Sequence, residues 1–159
     1  MASELSKNAE KIQAILNRSG YGMQVVEMAD STRTAQEAAD AIGCAIGQIA
    51  KSLVFKGKTS QKPVMVVASG SNRVNEKIVK ELIGEKPEKA DAEYVLEQTG
   101  YVIGGIPPVG HKKEITVLID EDLMQYSEIW AAAGTPHAVF KLTPQILCEI
   151  TAGKVIRIH

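Results

Sequence analysis

Hydrophobic and polar positions along this chain change between the spacing of helices and the spacing of strands. Over residues 5–16 the apolar side chains recur every three or four positions, and Ser19-Gly20 follows as a stop. This pattern predicts an amphipathic helix that packs on another layer. Beyond it, short apolar runs alternate with polar turns, and seven of the runs are predicted as strands: residues 24–28, 52–55, 63–68, 115–119, 129–133, 138–141 and 154–158.

Four further helices are predicted, three of them marked by capping residues and the fourth, over residues 75–83, by Gly84 as its stop. Thr34-Ala35-Gln36-Glu37 has the pattern of a capping box, in which Thr34 accepts from the Glu37 N–H and the Glu37 side chain reaches back. Asp91 is an N-cap aspartate, and Thr143-Pro144 combines an N-cap threonine with proline at the first helical position. The predicted helices cover residues 35–42, 75–83, 91–99 and 144–151.

Seven strands and five helices in this order predict an α+β fold with a mixed sheet, because neighbouring strand pairs are mixed with helical crossovers. The chain has 159 residues, which is enough for one domain with a core and too few for two domains of ordinary size. No linker or repeat divides it. We therefore expect a single domain over residues 1–159.

Charge and cysteine content exclude several classes of function. A formal net charge of −1 argues against the broad cationic face of a DNA-binding protein. No apolar run approaches the ~20 residues of a membrane span, and the N-terminus lacks the apolar segment of a secretion signal, so we expect a cytoplasmic protein. Cys44 and Cys148 lie far apart without further ligands at metal-binding spacing, so neither a metal site nor a disulfide is predicted.

The segment Gly104-Gly105-Ile106-Pro107-Pro108-Val109-Gly110-His111 is the strongest candidate for a functional loop. Its three glycines allow a ligand to approach the backbone, and its two prolines fix their own φ angles. A phosphate-binding P-loop is excluded, because His111 stands where that motif needs lysine and the prolines remove N–H donors. The alternative is a tight turn that only joins two strand-like runs, residues 101–103 and 115–119.

Lys51 is a second candidate, because it stands at the end of a predicted helical turn and directly before an apolar strand. The alternative is an ordinary solvated lysine, which is the commonest environment of this residue type. In the loop Ser69-Gly70-Ser71-Asn72, Ser71 lacks the glycine spacing of a G-x-S-x-G elbow. It is therefore not predicted to be a hydrolase nucleophile.

Four segments of the chain match those of a known family in the same order. They are residues 31–39 (STRTAQEAA), residues 49–55 (IAKSLVF), the loop Gly104-x-x-x-Pro108-x-Gly110 and residues 133–144 (AGTPHAVFKLTP). Together they resemble the YbaK / prolyl-tRNA synthetase editing-domain family, and the resemblance extends from about residue 20 to the C-terminus. It implies a strongly twisted, barrel-like mixed sheet with helices outside and a small pocket at one end.

The resemblance also implies an activity, the hydrolysis of the ester that joins a wrong amino acid to the terminal ribose of a tRNA. The partner implied is mischarged tRNA, most simply tRNAPro carrying alanine, cysteine, serine, threonine or 2-aminobutyrate, with a transient association with a synthetase. Because such an ester is already activated toward water, positioning a water and stabilising an oxyanion suffice, and no metal or cofactor is expected.

The resemblance assigns roles to particular residues. Lys51 would contact the 3′-terminal adenosine and its phosphate. The expected catalytic set is Lys51, Gly104, Gly105, Pro108, Gly110 and His137. The expected substrate-binding set is Thr32, Ser69, Ser71, Asn72, Gly134 and Thr135. The chain departs from the family at Val109, where many members have histidine, and His111, two positions later, receives no catalytic role.

Several alternatives remain open at the level of the sequence. His137 either contacts the substrate or holds the Gly-Thr-Pro turn by hydrogen bonds. A non-catalytic module of the same fold could bind the tRNA 3′ end or the aminoacyl group without turnover. A cysteine-dependent enzyme that pairs Cys44 or Cys148 with His137 is a further rival, although both cysteines lie in apolar surroundings typical of inert thiols.

Overall fold

The computed structural model describes residues 5–159, which form five α-helices and eight β-strands. The helices are α1 Lys7–Ser19, α2 Ala35–Ile42, α3 Glu76–Ile83, α4 Ala92–Thr99 and α5 Pro144–Thr151. The strands are β1 Val25–Glu27, β2 Ile49–Gly57, β3 Pro63–Ser69, β4 Pro87–Lys89, β5 Thr116–Asp120, β6 Ile129–Ala132, β7 Ala138–Leu142 and β8 Lys154–Ile156. Short 3-10 turns, Ile46–Gln48 and Glu121–Gln125, precede β2 and follow β5. None of the helices in this part of the chain has the length and apolarity needed to cross a bilayer.

Side-chain caps begin each helix, which explains why the sequence located the helices well. The residue before each helix accepts a hydrogen bond from a backbone N–H of the first turn, and these residues are Ser6, Thr34, Asn75, Asp91 and Thr143. In the predicted capping box the Glu37 N–H donates to Thr34 Oγ1 at 3.1 Å. The Glu37 carboxylate accepts from the Thr34 hydroxyl at 3.3 Å instead of reaching the backbone, so only half of the box forms as predicted.

The eight strands form one mixed sheet in the order β1-β7-β6-β2-β3-β5-β8, with β4 paired to β2 outside this path. The pairs β1–β7, β6–β7, β2–β3 and β2–β4 are antiparallel, whereas β2–β6, β3–β5 and β5–β8 are parallel. Parallel neighbours need crossover connections, and the connection from β3 to β5 contains α3 and α4. The predicted α+β class with a mixed sheet is confirmed.

The central strand β2 pairs with three other strands, and these pairings leave part of one of its edges without a described strand partner. Residues 50–56 pair with β3 along one edge of β2. On the other edge, residues 49–50 pair with β6 and residues 55–57 pair with β4. Among the described residues, the stretch 51–54 therefore has a strand neighbour only in β3. We call this stretch the open edge of β2.

Strand β3 is buried along most of its length, as its continuous apolar run predicts. Met65 and Val67 belong to the larger hydrophobic cluster, which also includes the buried face of α1. The alternate residues of the strand, at positions 64, 66 and 68, belong to a second cluster with Val79 of α3. The β2–β3 pair is thus packed on both faces, and it provides a rigid support for the open edge.

Three predicted features differ from the structure. Strand β4 was not predicted, because Pro87–Lys89 has no apolar pattern and is held by its pairing with the end of β2. Lys51 lies within β2 and not before it, because the strand already begins at Ile49. Residues 101–103 do not form a strand, because the Gly105 N–H donates to the Val102 carbonyl at 3.0 Å and closes a turn.

Candidate functional site

A cavity of about 180 Å³ lies beside the open edge of β2. We call residues 104–111 the glycine-proline loop. The cavity is lined by residues 32–35 and 38 around the start of α2, residues 49–53 of β2, residue 103, residues 104 and 106 of the glycine-proline loop, and residues 130, 132 and 139 of β6 and β7. Pockets for drug-sized molecules usually measure about 300–1,000 Å³. The cavity therefore suits a chemical group smaller than a nucleotide.

The charged side chains that line the cavity are both cations. Lys51 and Arg33 are exposed, and no carboxylate is among the lining residues in the described part of the chain. Neither cation takes part in an ion pair within residues 5–159. Two cations without a compensating anion attract an anionic ligand group, and the planar guanidinium of arginine matches a phosphate especially well.

Gly104 and Gly105 bring the loop against a neighbouring turn and into contact with the cavity. Gly104 has φ of 92°, which favours glycine, and a Cβ there would collide with the side chain of Arg33. The Gly105 carbonyl accepts from the Gly134 N–H at 3.0 Å. A Cβ on Gly105 would lie 2.6 Å from the carbonyl carbon of Thr135, so only glycine fits between loop and turn. Of the four predicted site residues in this loop, Gly104, Gly105, Pro108 and Gly110, Gly104 lines the cavity and the others do not.

The second half of the loop is held against the core, away from the cavity. Pro108 is buried, and the Gly110 carbonyl accepts from the Tyr101 hydroxyl at 3.1 Å. A Cβ on Gly110 would lie 2.7 Å from Ile15 Cδ1, so the loop packs closely on α1. Neither Pro108 nor Gly110 lines the cavity. Their position fits a structural role in fixing the loop and not direct contact with a ligand in this cavity.

His111 closes the loop by a hydrogen bond. Its ring Nε2 lies 2.6 Å from the Pro107 carbonyl oxygen, and because a carbonyl only accepts, this nitrogen carries the proton. Burial lowers the pKa of His111 below its ordinary value of 6.5, and the hydrogen bond to Pro107 opposes this effect. The folded protein therefore favours the neutral ring.

We expect His111 to make the folded protein sensitive to mild acid. Because the pKa of His111 is lowered on folding, the unfolded chain binds more protons as the pH falls from about 6.5 toward the lowered value. The free energy of unfolding then decreases with falling pH. In His111→Gln, which retains an N–H donor, this contribution disappears. Urea unfolding at about pH 7.5 and pH 5.5 measures the difference, and an equal loss of stability in both proteins would contradict it.

The turn at residues 134–137 connects the loop to the segment before α2. The Pro136 carbonyl accepts from the Thr32 N–H at 2.6 Å, and the His137 carbonyl accepts from the Met28 N–H at 2.7 Å. The His137 ring is exposed, with Nδ1 3.1 Å from the Asp30 carbonyl oxygen. None of Gly134, Thr135 and His137 lines the cavity. Of the two alternatives for His137, its contacts match the one in which it holds the turn.

Ser69, Ser71 and Asn72 lie in a separate polar network outside the cavity lining. The Ser69 hydroxyl donates to the Gly47 carbonyl at 2.7 Å and lies 3.3 Å from the Ser71 hydroxyl. The Asn72 side chain donates to Asp120, a carboxylate with no exposed surface, at 2.9 Å. Asp120 also accepts from the Ser69 N–H at 2.9 Å. These contacts join the ends of β3 and β5, and they place the three predicted substrate-binding residues in a structural network.

Most residues that line the cavity were not selected as site residues from the sequence, and Arg33, Ser52 and Trp130 are three of them. Ser52 could have been selected from the sequence, because it is a polar residue next to Lys51 inside an otherwise apolar run. Trp130 could not, because a lone aromatic residue in a strand is typical of ordinary packing. Its position follows from the parallel pairing of β6 with β2, in which Trp130 lies opposite Ile49.

The cysteine hypothesis finds no support in the geometry. Burial raises the pKa of the Cys44 thiol, and it does the same for Cys148. A raised pKa reduces the fraction of reactive thiolate at neutral pH. Neither cysteine lines the cavity, and the His137 ring is directed to the Asp30 carbonyl.

Comparison with known proteins places this geometry in a family. The aminoacyl-tRNA editing domain family matches residues 29–149. A crystal structure described as a candidate trans-editing enzyme for prolyl tRNA synthetase is 44% identical and superimposes with a TM-score of 0.91, covering 98% of both chains. The uncharacterized protein YwhH of Bacillus subtilis is 34% identical over 131 residues, which are 82% of this chain and 83% of YwhH.

Two further relatives have names that refer to tRNA. EbsC of Enterococcus faecalis, named as a candidate Cys-tRNA(Pro)/Cys-tRNA(Cys) deacylase, is 30% identical over 79% of this chain and 76% of its own length. The proline–tRNA ligase of Limosilactobacillus fermentum is 37% identical over 94 residues, which are 57% of this chain but only 16% of the ligase. This chain belongs to the aminoacyl-tRNA editing domain family, as its resemblance to that family predicted.

Proposed function

We propose that this chain is a deacylase that acts in trans on mischarged tRNA in the cytoplasm, with tRNAPro carrying a small amino acid as its first candidate substrate. The observation that carries the proposal is the small, largely apolar cavity bordered by Lys51 and Arg33 and free of carboxylates among its described lining residues. The cavity takes the aminoacyl group, and the nucleotide to which it is esterified stays at the rim. The names of EbsC and of the trans-editing structure agree with this activity.

The two cations bind the end of the tRNA. Lys51 and Arg33 are exposed and have no carboxylate partner in residues 5–159, so both are available to the phosphate of the terminal nucleotide. Charge-assisted hydrogen bonds to phosphate are about twice as strong as neutral ones. A net charge of −1 for the whole chain means that this local pair must supply much of the attraction.

The loop supplies a donor for the reacting carbonyl. In the described residues the Gly104 N–H has no hydrogen-bond partner, and Gly104 lines the cavity. This N–H can stabilise the oxyanion that develops when water attacks the ester carbonyl. Among the described lining residues, no carboxylate or histidine is available to act as a base, so the adjacent hydroxyl of the terminal ribose orients the attacking water.

The need for such an enzyme follows from the limits of discrimination by a synthetase. One methylene in an apolar pocket changes binding by only about 1–3 kcal/mol, so amino acids close in size to the correct one are attached to tRNA. A second site that admits only small side chains removes these products. The similarity to part of a proline–tRNA ligase supports tRNAPro as the tRNA and a transient association with that synthetase.

The test is a panel of tRNAPro species charged with alanine, cysteine, serine, threonine, 2-aminobutyrate and proline, assayed at low salt. We expect release of at least one small amino acid well above the buffer rate, with prolyl-tRNAPro left intact. Binding of the charged tRNAs without release of any amino acid would instead identify a non-catalytic tRNA-binding module. The absence of both binding and release would overturn the proposal.

A further inference from the structure

Two buried hydroxyl oxygens, Thr32 Oγ1 and Ser52 Oγ, have no hydrogen-bond partner among residues 5–159. Thr32 is only 5% exposed, and both residues line the cavity described above. Buried hydroxyls in folded proteins almost always have a partner, because an unpaired one gives up its hydrogen bonds to water without replacement. Both exceptions belong to residues that line the same cavity, so the two hydroxyls are candidates for contact with a ligand bound there.

The fold holds both residues where their side chains stay unpaired. Ser52 lies on the open edge of β2, between the residues that pair with β6 and those that pair with β4, and on this edge no described strand covers it. The backbone of Thr32 is fixed by the 2.6 Å hydrogen bond from its N–H to the Pro136 carbonyl. Each hydroxyl therefore belongs to a well-anchored backbone and has a side chain that is free to bind something else.

A ligand reaches these oxygens by a simple change of rotamer. Both oxygens are shielded from solvent. Rotation about χ1 moves each hydroxyl between staggered positions, and in Thr32 the methyl group moves with it. Because neither hydroxyl has a hydrogen bond within the protein, no such bond is broken when it turns.

The charge of the cavity decides which part of an aminoacyl group the hydroxyls meet. The α-ammonium group is a cation, and the cavity has Lys51 and Arg33 at its border and no carboxylate in its described lining. Burying an ammonium group there would be unfavourable, so this group stays toward solvent. The amino-acid side chain is the part that enters the buried end. A side-chain hydroxyl of the substrate can pair with these protein hydroxyls, because a hydroxyl both donates and accepts.

We propose that Thr32 and Ser52 are specificity-determining residues that select serine or threonine as the amino acid removed, over alanine, cysteine and 2-aminobutyrate. The proposal rests on the deacylase function proposed above and specifies its substrate class. A site that hydrogen-bonds a substrate hydroxyl discriminates strongly against an analogue without it, because the protein hydroxyls are then left unpaired in the complex. Cysteine fits the same space, but its thiol is a weak donor and a weak acceptor.

The sharpest test compares seryl- with 2-aminobutyryl-tRNAPro, because CH₂OH and CH₂CH₃ have the same number of heavy atoms and differ in the hydroxyl. We expect kcat/KM of the unaltered protein to be at least about tenfold higher for the seryl substrate. Equal values, or a preference for 2-aminobutyrate, would overturn the inference while leaving the deacylase function intact. If no charged tRNA is hydrolysed, the function itself fails, so the two failures are distinguishable.

Two variants and one conservative control test whether Thr32 and Ser52 cause the preference for the seryl substrate. In Thr32→Val and Ser52→Ala, the ratio of seryl to 2-aminobutyryl kcat/KM falls about tenfold, and Thr32→Ser retains the preference. Thr32→Val also raises Tm of the free protein by about 2–4 °C, because it removes an unpaired buried hydroxyl. A merely structural threonine would give a lower Tm and an unchanged ratio. Either that result or an equal loss of rate for both substrates contradicts the assignment.

Discussion

If the proposed function is right, we expect Lys51→Ala to lower kcat/KM for deacylation of mischarged tRNA by about 10- to 100-fold, the effect of losing one charge-assisted contact to phosphate. The free energy of unfolding changes by no more than about 0.5 kcal/mol, because the side chain is exposed and has no ion-pair partner among the described residues. The salt dependence also becomes shallower, by about 0.7 in the slope of log kcat/KM against log salt concentration. Kinetics at several salt concentrations measure both effects.

The matched control for this variant is Lys154→Ala. Lys154 is also an exposed lysine on a strand, but it lies on β8 and does not line the cavity. We expect it to change neither the rate nor the salt slope, whereas Lys51→Arg retains most of both because it keeps the charge. Near-normal deacylation by Lys51→Ala would show that this lysine is an ordinary surface residue, and the nucleotide would then need another anchor.

We expect Gly105→Ala to push the glycine-proline loop away from the turn at residues 134–137, and so to lower both the free energy of unfolding and the deacylase activity. The added methyl group would lie 2.6 Å from the Thr135 carbonyl carbon and 2.8 Å from its Cα, and both atoms belong to the backbone and cannot rotate away. Overpacking of this kind costs about 1–3 kcal/mol of unfolding free energy. Because Gly104 moves with the loop, kcat falls by about 100-fold, the typical effect of a 1 Å displacement at a reacting centre.

A comparison with Gly20→Ala distinguishes displacement of the loop from a general loss of stability. Gly20 ends α1 with φ of 80°, and a Cβ there would meet no atom within 4 Å. The strained backbone costs about 1–2 kcal/mol, but the loop stays in place, so the folded fraction keeps its activity. Denaturant unfolding and single-turnover deacylation measure the two quantities. If the two variants lose activity in proportion to stability alone, the contact between Gly105 and Thr135 is not what positions the loop.

The predicted site residues divide by how far their placement depends on local sequence. Thr32, Lys51 and Gly104 line the cavity, and each lies in a segment whose sequence motif was recognised directly. The other predicted residues support the loop, the turn at residues 134–137 or the network around Asp120. A motif records that a segment is constrained, but it does not distinguish a residue that touches a ligand from one that holds its neighbour in place. This difference depends on which way each backbone segment faces after folding.

Helix ends, most strands and the family were determined by the sequence itself, because side-chain caps, glycine stops and apolar periodicity act between residues a few positions apart. The open edge of β2 was decided only by the tertiary structure. It exists because β4 and β6, which are distant in sequence, pair with the two ends of one strand and leave residues 51–54 between them. The presence of Thr32 and Ser52 in the lining of one cavity has the same origin, because it depends on long-range contacts that no local pattern encodes.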